Sequence, residues 1–184
     1  MAGTLTVQNL QGPSSGANAN KVIIPSGQEL HAAGHVVQTA HTTSSTQIIY
    51  SSGVTSWSTV VTGTFTPKFS TSKIYVDVTL QYGNRNNGEL QFDHRLLRGT
   101  TAVTENLNTT ASGTFDVVRF PAPTSPLYNG HYFTTFQMVD DPATTSAITY
   151  NFQIARPNAG YPDIYINFAG GRAKTMIKFT EIAQ

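Results

Sequence analysis

Residues 72–82 read SKIYVDVTLQY. Ile74, Val76, Val78 and Leu80 alternate with Tyr75, Asp77, Thr79 and Gln81, so an extended backbone puts the aliphatic side chains on one face and the polar ones on the other. A helix would scatter the same residues around its axis, and the pattern therefore predicts a half-buried strand. The alternation recurs at 147–156 with Ile148, Tyr150, Phe152 and Ile154, and at 89–98 with Leu90, Phe92, His94 and Leu96. Further strands are predicted over 35–42, 46–50, 57–65, 115–120, 132–140, 164–167 and 175–182, where Thr, Val, Tyr and Phe favour sheet. No segment of useful length carries apolar residues at helical spacing. Turn chemistry fills the gaps: TPKFSTS at 66–72, YGNRNNGE at 82–89, FPAPTSPLYNGH at 120–131, DDPATTS at 140–146 and RPNAGYPD at 156–163. Short strands at this spacing predict an all-β, jelly-roll-like antiparallel β-sandwich over residues 35–184.

Residues 1–34 read differently. Gly12, Gly16, Gly27, Pro13 and Pro25 punctuate a polar segment whose main apolar run is Val22, Ile23 and Ile24, which is too little to close a core. This segment is expected to be an extended attachment stem, with three copies wrapping about a common axis so that Val22, Ile23 and Ile24 pack between them as a homotrimer. Gly12 and Gly16 would permit close backbone approach there.

Composition narrows the function. The chain has 184 residues, of which 11% are charged, under half of the roughly 25% usual for soluble domains. The net charge is +1 with scattered basic residues, so nucleic acid is not an expected partner. Cysteine is absent, which removes disulfides, thiolate metal sites and cysteine nucleophiles. The opening MAGTLTVQNLQG has neither the basic start nor the apolar core of a signal peptide, and no window is long and apolar enough for a membrane helix, so no membrane insertion is expected.

Several stretches together resemble the tail-fibre and related appendage proteins of marine bacteriophages: GTLTVQNLQGP at 3–13, NKVIIPSGQEL at 20–30, HVVQT at 35–39, Trp57, GTFTPKFSTSKIYVDVTL at 63–80, DDPATTSAITYNFQI at 140–154, INFAGG at 166–171 and MIKFTEIAQ at 176–184. The resemblance runs over nearly the whole chain, and its motifs belong to the scaffold rather than to any chemistry. It implies a trimeric virion component, with a slender N-terminal part bound to other virion proteins and a C-terminal β-domain used in host recognition. With no long repetitive shaft, a short fibre or spike fits better than a long one. Localisation would be the virion, at the tail or the capsid surface, after synthesis in the bacterial cytoplasm. The alternative is a capsid fibre, decoration knob or tail component with no receptor-binding role.

Chemical motifs are sparse. His31, His35 and His41 would come together in triplicate near a threefold axis, but their spacing matches no ligand motif, and no metal or other cofactor is expected. His94 lies on an apolar strand face, where it could pair with Asp77 or Glu89; a packed core histidine is the plainer reading. Asp140 and Asp141 are adjacent in a turn before Pro142, so their side chains should diverge rather than flank a cleft as glycoside hydrolysis requires. G-x-S-x-G, phosphate-loop, dinucleotide and H-E-x-x-H motifs are absent, and no enzymatic activity is expected. Two loops, SPLYNGHYF at 125–133 and NAGYPDIY at 158–165, place tyrosine beside amide and acidic groups, a chemistry suited to stacking on and hydrogen-bonding sugar rings. Tyr128, Asn129, His131 and Tyr161 are the expected receptor contacts on a host glycan or protein. Packing between protomers is the competing use of the same tyrosines.

Overall fold

The computed structural model describes residues 11–19, 21–24, 26, 32–51, 56–84, 90–103, 105–106, 118–120, 130–156, 163–168 and 173–184. Among these every regular element is a strand. In chain order they are β1 (Val36–Ser44), β2 (Ile48–Tyr50), β3 (Ser58–Phe65), β4 (Lys73–Asn84), β5 (Leu90–Arg98), β6 (Thr101–Ala102), β7 (Glu105–Asn106), β8 (Val118–Phe120), β9 (Gly130–Asp140), β10 (Ile148–Ala155), β11 (Ile164–Ile166) and β12 (Thr175–Ile182). The two-residue strands β6 and β7 carry no alternation for a sequence pattern to register.

All pairings are antiparallel and form two sheets, one of seven strands and one of five. Their order is a nested hairpin rolled over on itself. The first strand pairs with the last, β1 with β12; then β3 pairs with β10, β4 with β9, and β5 with β8. Cross-links of β12 to β4 and of β10 to β5 gather these pairs into the sheets β1-β12-β4-β9 and β3-β10-β5-β8, with the short strands at the margins. This is the jelly-roll arrangement expected from the sequence.

Period-two alternation sets which side chains fill the space between the sheets. From the larger sheet, Ile74, Val76, Val78, Leu80 and Tyr82 are fully buried, with Phe136, Met138, Ile177 and Phe179 beside them. The smaller sheet answers with Val61, Phe65, Phe92, Leu96, Tyr150, Phe152 and Ile154. Each such side chain contributes about 1.5–3 kcal/mol relative to exposure. Aromatic rings tie the layers: Phe65 and Tyr150 lie 5.3 and 5.2 Å from Phe179, and Phe92 meets Tyr82 edge-on at 5.2 Å. Gly63 also faces inward, where an added Cβ would lie 2.8 Å from the Phe179 ring and 2.9 Å from Ile177 Cγ2, so the missing side chain makes room for that ring.

The outer faces explain the low charge of the sequence. Mostly neutral polar side chains bond across the ladders: Gln137 Nε2 donates to Asp77 Oδ1 (3.1 Å), Thr79 and Thr135 hydroxyls meet at 3.2 Å, Thr62 donates to Asn151 (2.8 Å) and Gln153 Nε2 donates to Thr59 (3.0 Å). Cross-strand hydrogen bonds of this kind do the work that ion pairs do on more charged sheets.

Contacts divide the chain into Met1–His31 and Ala32–Gln184, against an expected boundary after residue 34. Within the first unit, the described residues form a polar turn in which Ala19 N–H donates to Gly16 O and Lys21 N–H to Asn18 O, both at 3.1 Å. A Cβ on Gly12 would collide with the Lys21 backbone, while Gly16 adopts φ +89° in open space. Val22, Ile23 and Ile24 are exposed in the single chain, at 48%, 54% and 42%.

Candidate functional site

β4 runs the full height of the larger sheet. β9 pairs along one edge of it, from Asp140 at Ile74 to Gly130 at Asn84. Along the other edge β12 covers Lys73 to Thr79, and β11 takes over at Tyr82 and Gly83. Gly83 thus faces His131 on one side and Tyr165 on the other. The strands that follow the two tyrosine-bearing stretches of sequence therefore begin side by side at one end of the sheet.

Of the expected contacts, Tyr128, Asn129 and Tyr161 lie outside the described residues. His131 is the second residue of β9, and only its backbone position is described. Around it the described side chains form an aromatic group. Tyr82 stacks on Tyr132 at 5.6 Å and its hydroxyl lies 3.0 Å from Thr134 Oγ1. Burial pushes the Tyr82 hydroxyl well above the usual tyrosine range, overcoming the Thr134 hydrogen bond. On the outward face of β9, Phe133 is 67% exposed, the most open large apolar side chain among the described residues of the domain. Its signal was present in the alternation: with Phe136 and Met138 inward, Phe133 falls outward.

Between the sheets near this end is Arg156, 2% exposed, whose Nε, Nη1 and Nη2 have no hydrogen-bond partner among the described residues. Burial lowers the guanidinium pKa, and the charge of Asp163 opposes that shift. On β5, burial raises the Asp93 carboxyl pKa, and its Oδ1 has no hydrogen-bond partner among the described residues.

The other titratable groups considered from sequence sit in structural settings. His94 is buried, its ring 4.1 Å from Phe136 and 5.9 Å from Phe152, while Asp77 bonds Gln137 on the outer face. Asp140 turns inward, accepting from Tyr150 Oη at 2.7 Å and from Arg98 Nη1 at 2.9 and 3.2 Å; Asp141 is exposed, and its carbonyl accepts from the same Arg98 nitrogen at 3.2 Å. The two carboxyls diverge, so they do not flank a common cleft. His35 and His41 are exposed, His31 lies outside the described residues, and no metal-ligating cluster of three or more occurs among the described residues. The tyrosines are packing groups: burial pushes Tyr50 up to about 12 and Tyr150 higher still.

A buried carboxylate missed from sequence is Glu181 on β12. It accepts from Gln38 Nε2 at 2.7 Å and from the backbone N–H groups of Lys68 and Phe69 at 2.9 and 3.1 Å, pinning the turn between β3 and β4. Burial would raise its pKa, but these donors outweigh it and hold the carboxyl below the ordinary range. A separate groove of about 490 Å³ opens between the β1–β2 connection and β3, lined chiefly by Thr and Ser hydroxyls.

No family model matches the chain, and no curated protein matches it. Among solved structures it is similar to the VP2 subviral particle of infectious bursal disease virus, at 12% identity over 94% of this chain and 46% of that one, with a TM-score of 0.41. T=1 particles derived from infectious bursal virus match at 11% identity over 91% of this chain and 42% of that one, with a TM-score of 0.42. The chain spans less than half the length of these proteins, and the likeness is one of loose fold.

Proposed function

We propose that this protein is a structural component of a bacteriophage virion, a short trimeric tail fibre or spike that attaches through its N-terminal segment and presents its β-domain to the host surface. It acts by binding rather than by catalysis. The observation that carries the reading is the convergence at the end of β4, where the strands following both tyrosine stretches begin on either side of Gly83. Strand starts gathered at one end of a sandwich suit multivalent recognition, in which several weak sites in one oligomer give useful avidity. The sequence resemblance to marine phage appendage proteins points the same way. Tyr128, Asn129, His131 and Tyr161 are the proposed contacts, with Phe133 beside them.

Two measurements test this. Antibody against residues 43–184 on intact particles, located by electron microscopy, should label the tail; label over the head would replace the reading with a capsid fibre or decoration knob. Alanine at Tyr128 and Tyr161 should abolish adsorption to host cells while the oligomer persists. Unchanged adsorption would sink the receptor role.

A further inference from the structure

Sheet edges expose unpaired backbone donors and acceptors, and proteins ordinarily blunt them with short strands, lysine, proline or bulges. Here the edge strands β2, β6, β7 and β8 are two or three residues long, while β9, of eleven residues, is covered on its outer edge by β7 at Met138 and Val139. β3 is longer but is interrupted by a register shift opposite Phe152 and Gln153 and by Gly63. β1 has nine residues, VVQTAHTTS, with no lysine, arginine, acid or proline, and its one register shift, between Val36 and Gln38, is at its start. Among the described residues its only strand partner is β12. Ala40 and Thr42 lie opposite Phe179 and Ile177 and share their core-facing side, yet both are exposed. β3, at the edge of the smaller sheet, runs close to β1, and Gln38 Nε2 on β1 donates to Thr66 O just beyond β3 at 2.8 Å. The hydroxyl-lined groove opens between the two strands, bounded by Thr43, Ser44, Ile48, Thr59, Val60 and Val61.

The chain also holds a short extended segment suited to such an edge. Lys21–Ile24 follows the turn at 16–21 and precedes Pro25, which lacks the donor needed to continue a strand and biases Ile24 toward extended geometry. Val22, Ile23 and Ile24 are β-branched and exposed in the single chain, and residues 21–24 have no regular pairing there.

We infer that residues 21–24 of one copy add as a strand to the β1 edge of a neighbouring copy, with Val22 and Ile24 on the side of Ala40 and Thr42. The inference rests on the oligomer proposed above and names the surface on which its stem residues pack. The twelve residues from Ile24 to Val36 span at most about 40 Å, enough for an arm to reach the next subunit. A head-to-tail exchange of this kind closes into a ring when the rotation between copies allows it, and a ring of three would be the proposed trimer.

The absence of cysteine permits a clean test on the full-length chain. A Val22→Cys preparation is mixed with a Thr42→Cys preparation, equilibrated and oxidised, with Thr149→Cys on the exposed outer face of β10 as control partner. Strand addition requires a disulfide between the two preparations, seen as a doubled mass on a non-reducing gel that reverts on reduction and is absent with the control. Cross-linking of Val22→Cys only to itself would overturn the inference in favour of arms packing on one another. Absence of cross-linking while light scattering still gives a trimer would overturn it and leave the trimer standing. A monomeric mass for the unmodified protein would overturn both.

Discussion

Single side chains decide how tightly the sandwich is held. Glu181 accepts several hydrogen bonds in a buried site, so Glu181→Gln, which turns an acceptor into a donor facing backbone N–H groups, should cost roughly 2–3 kcal/mol in chemical denaturation. Its carboxyl pKa is depressed in the folded state, so its contribution is complete above the ordinary carboxylate value and is lost as pH falls through the folded value. Wild-type stability should decline below about pH 4 more steeply than that of Glu181→Gln. Gly63→Ala meets the Phe179 ring and Ile177, two packed side chains with little room to yield, and should cost about 1–3 kcal/mol. Arg156 gives the opposite sign. A guanidinium without hydrogen-bond partners among the described residues opposes folding, so Arg156→Met should leave the melting temperature unchanged or raise it. A fall of several degrees would show that this charge is compensated.

At the scale of the strand, β1 separates folding from assembly. Residues 39–43 of β1 are exposed on both faces, so Ala40→Lys together with Thr42→Lys should leave the melting temperature of the domain nearly unchanged, while guarding the edge against strand addition. Size-exclusion chromatography should then report a loss of self-association without a loss of fold; retained trimer would place the interface elsewhere. The contrast with β12 is instructive, because it is enclosed by β1 and β4 and the same substitution at Ile177 or Phe179 would destroy the core. Short connections are held as firmly as strands. Asn167, left-handed at φ 53° and fully buried, donates to Thr46 O and accepts from Thr175 Oγ1, both at 2.9 Å, and so fixes the chain as it leaves β11.

For the whole molecule, nested pairing from first strand to last means that most strand contacts join residues far apart in the chain. Folding should therefore be slow for the size of the domain, in the range of milliseconds to seconds that non-local β topologies share. The two contact units differ in kind: residues 32–184 contain the buried core, whereas the described part of the first unit is a polar turn and three exposed aliphatics. A chain of residues 32–184 should fold with the melting temperature of the full-length protein and remain monomeric. A large drop in melting temperature would show that the leading segment belongs to the folding unit.

Period-two alternation determined the strands, because burying one face of a pleated chain requires it: residues 72–82 and 175–182 declare β4 and β12, and Phe92, Leu96, Phe152 and Ile154 declare their inward faces. It could not reach β6 and β7, which are too short to show a period, nor the inward place of Gly63, which has no side chain to pattern. At the candidate site, the tyrosine stretches were legible as turn-rich sequence with aromatic content, but the meeting of the strands that follow them depends on β9 and β11 flanking the end of β4. The burial of Glu181 and Arg156 and the exposure of Ala40 and Thr42 on β1 were also invisible, since each depends on what lies across a sheet or between sheets. Local periodicity reports which side of a strand is covered; only the tertiary structure decides what covers it, because strand order and register are set by contacts between residues far apart in the chain.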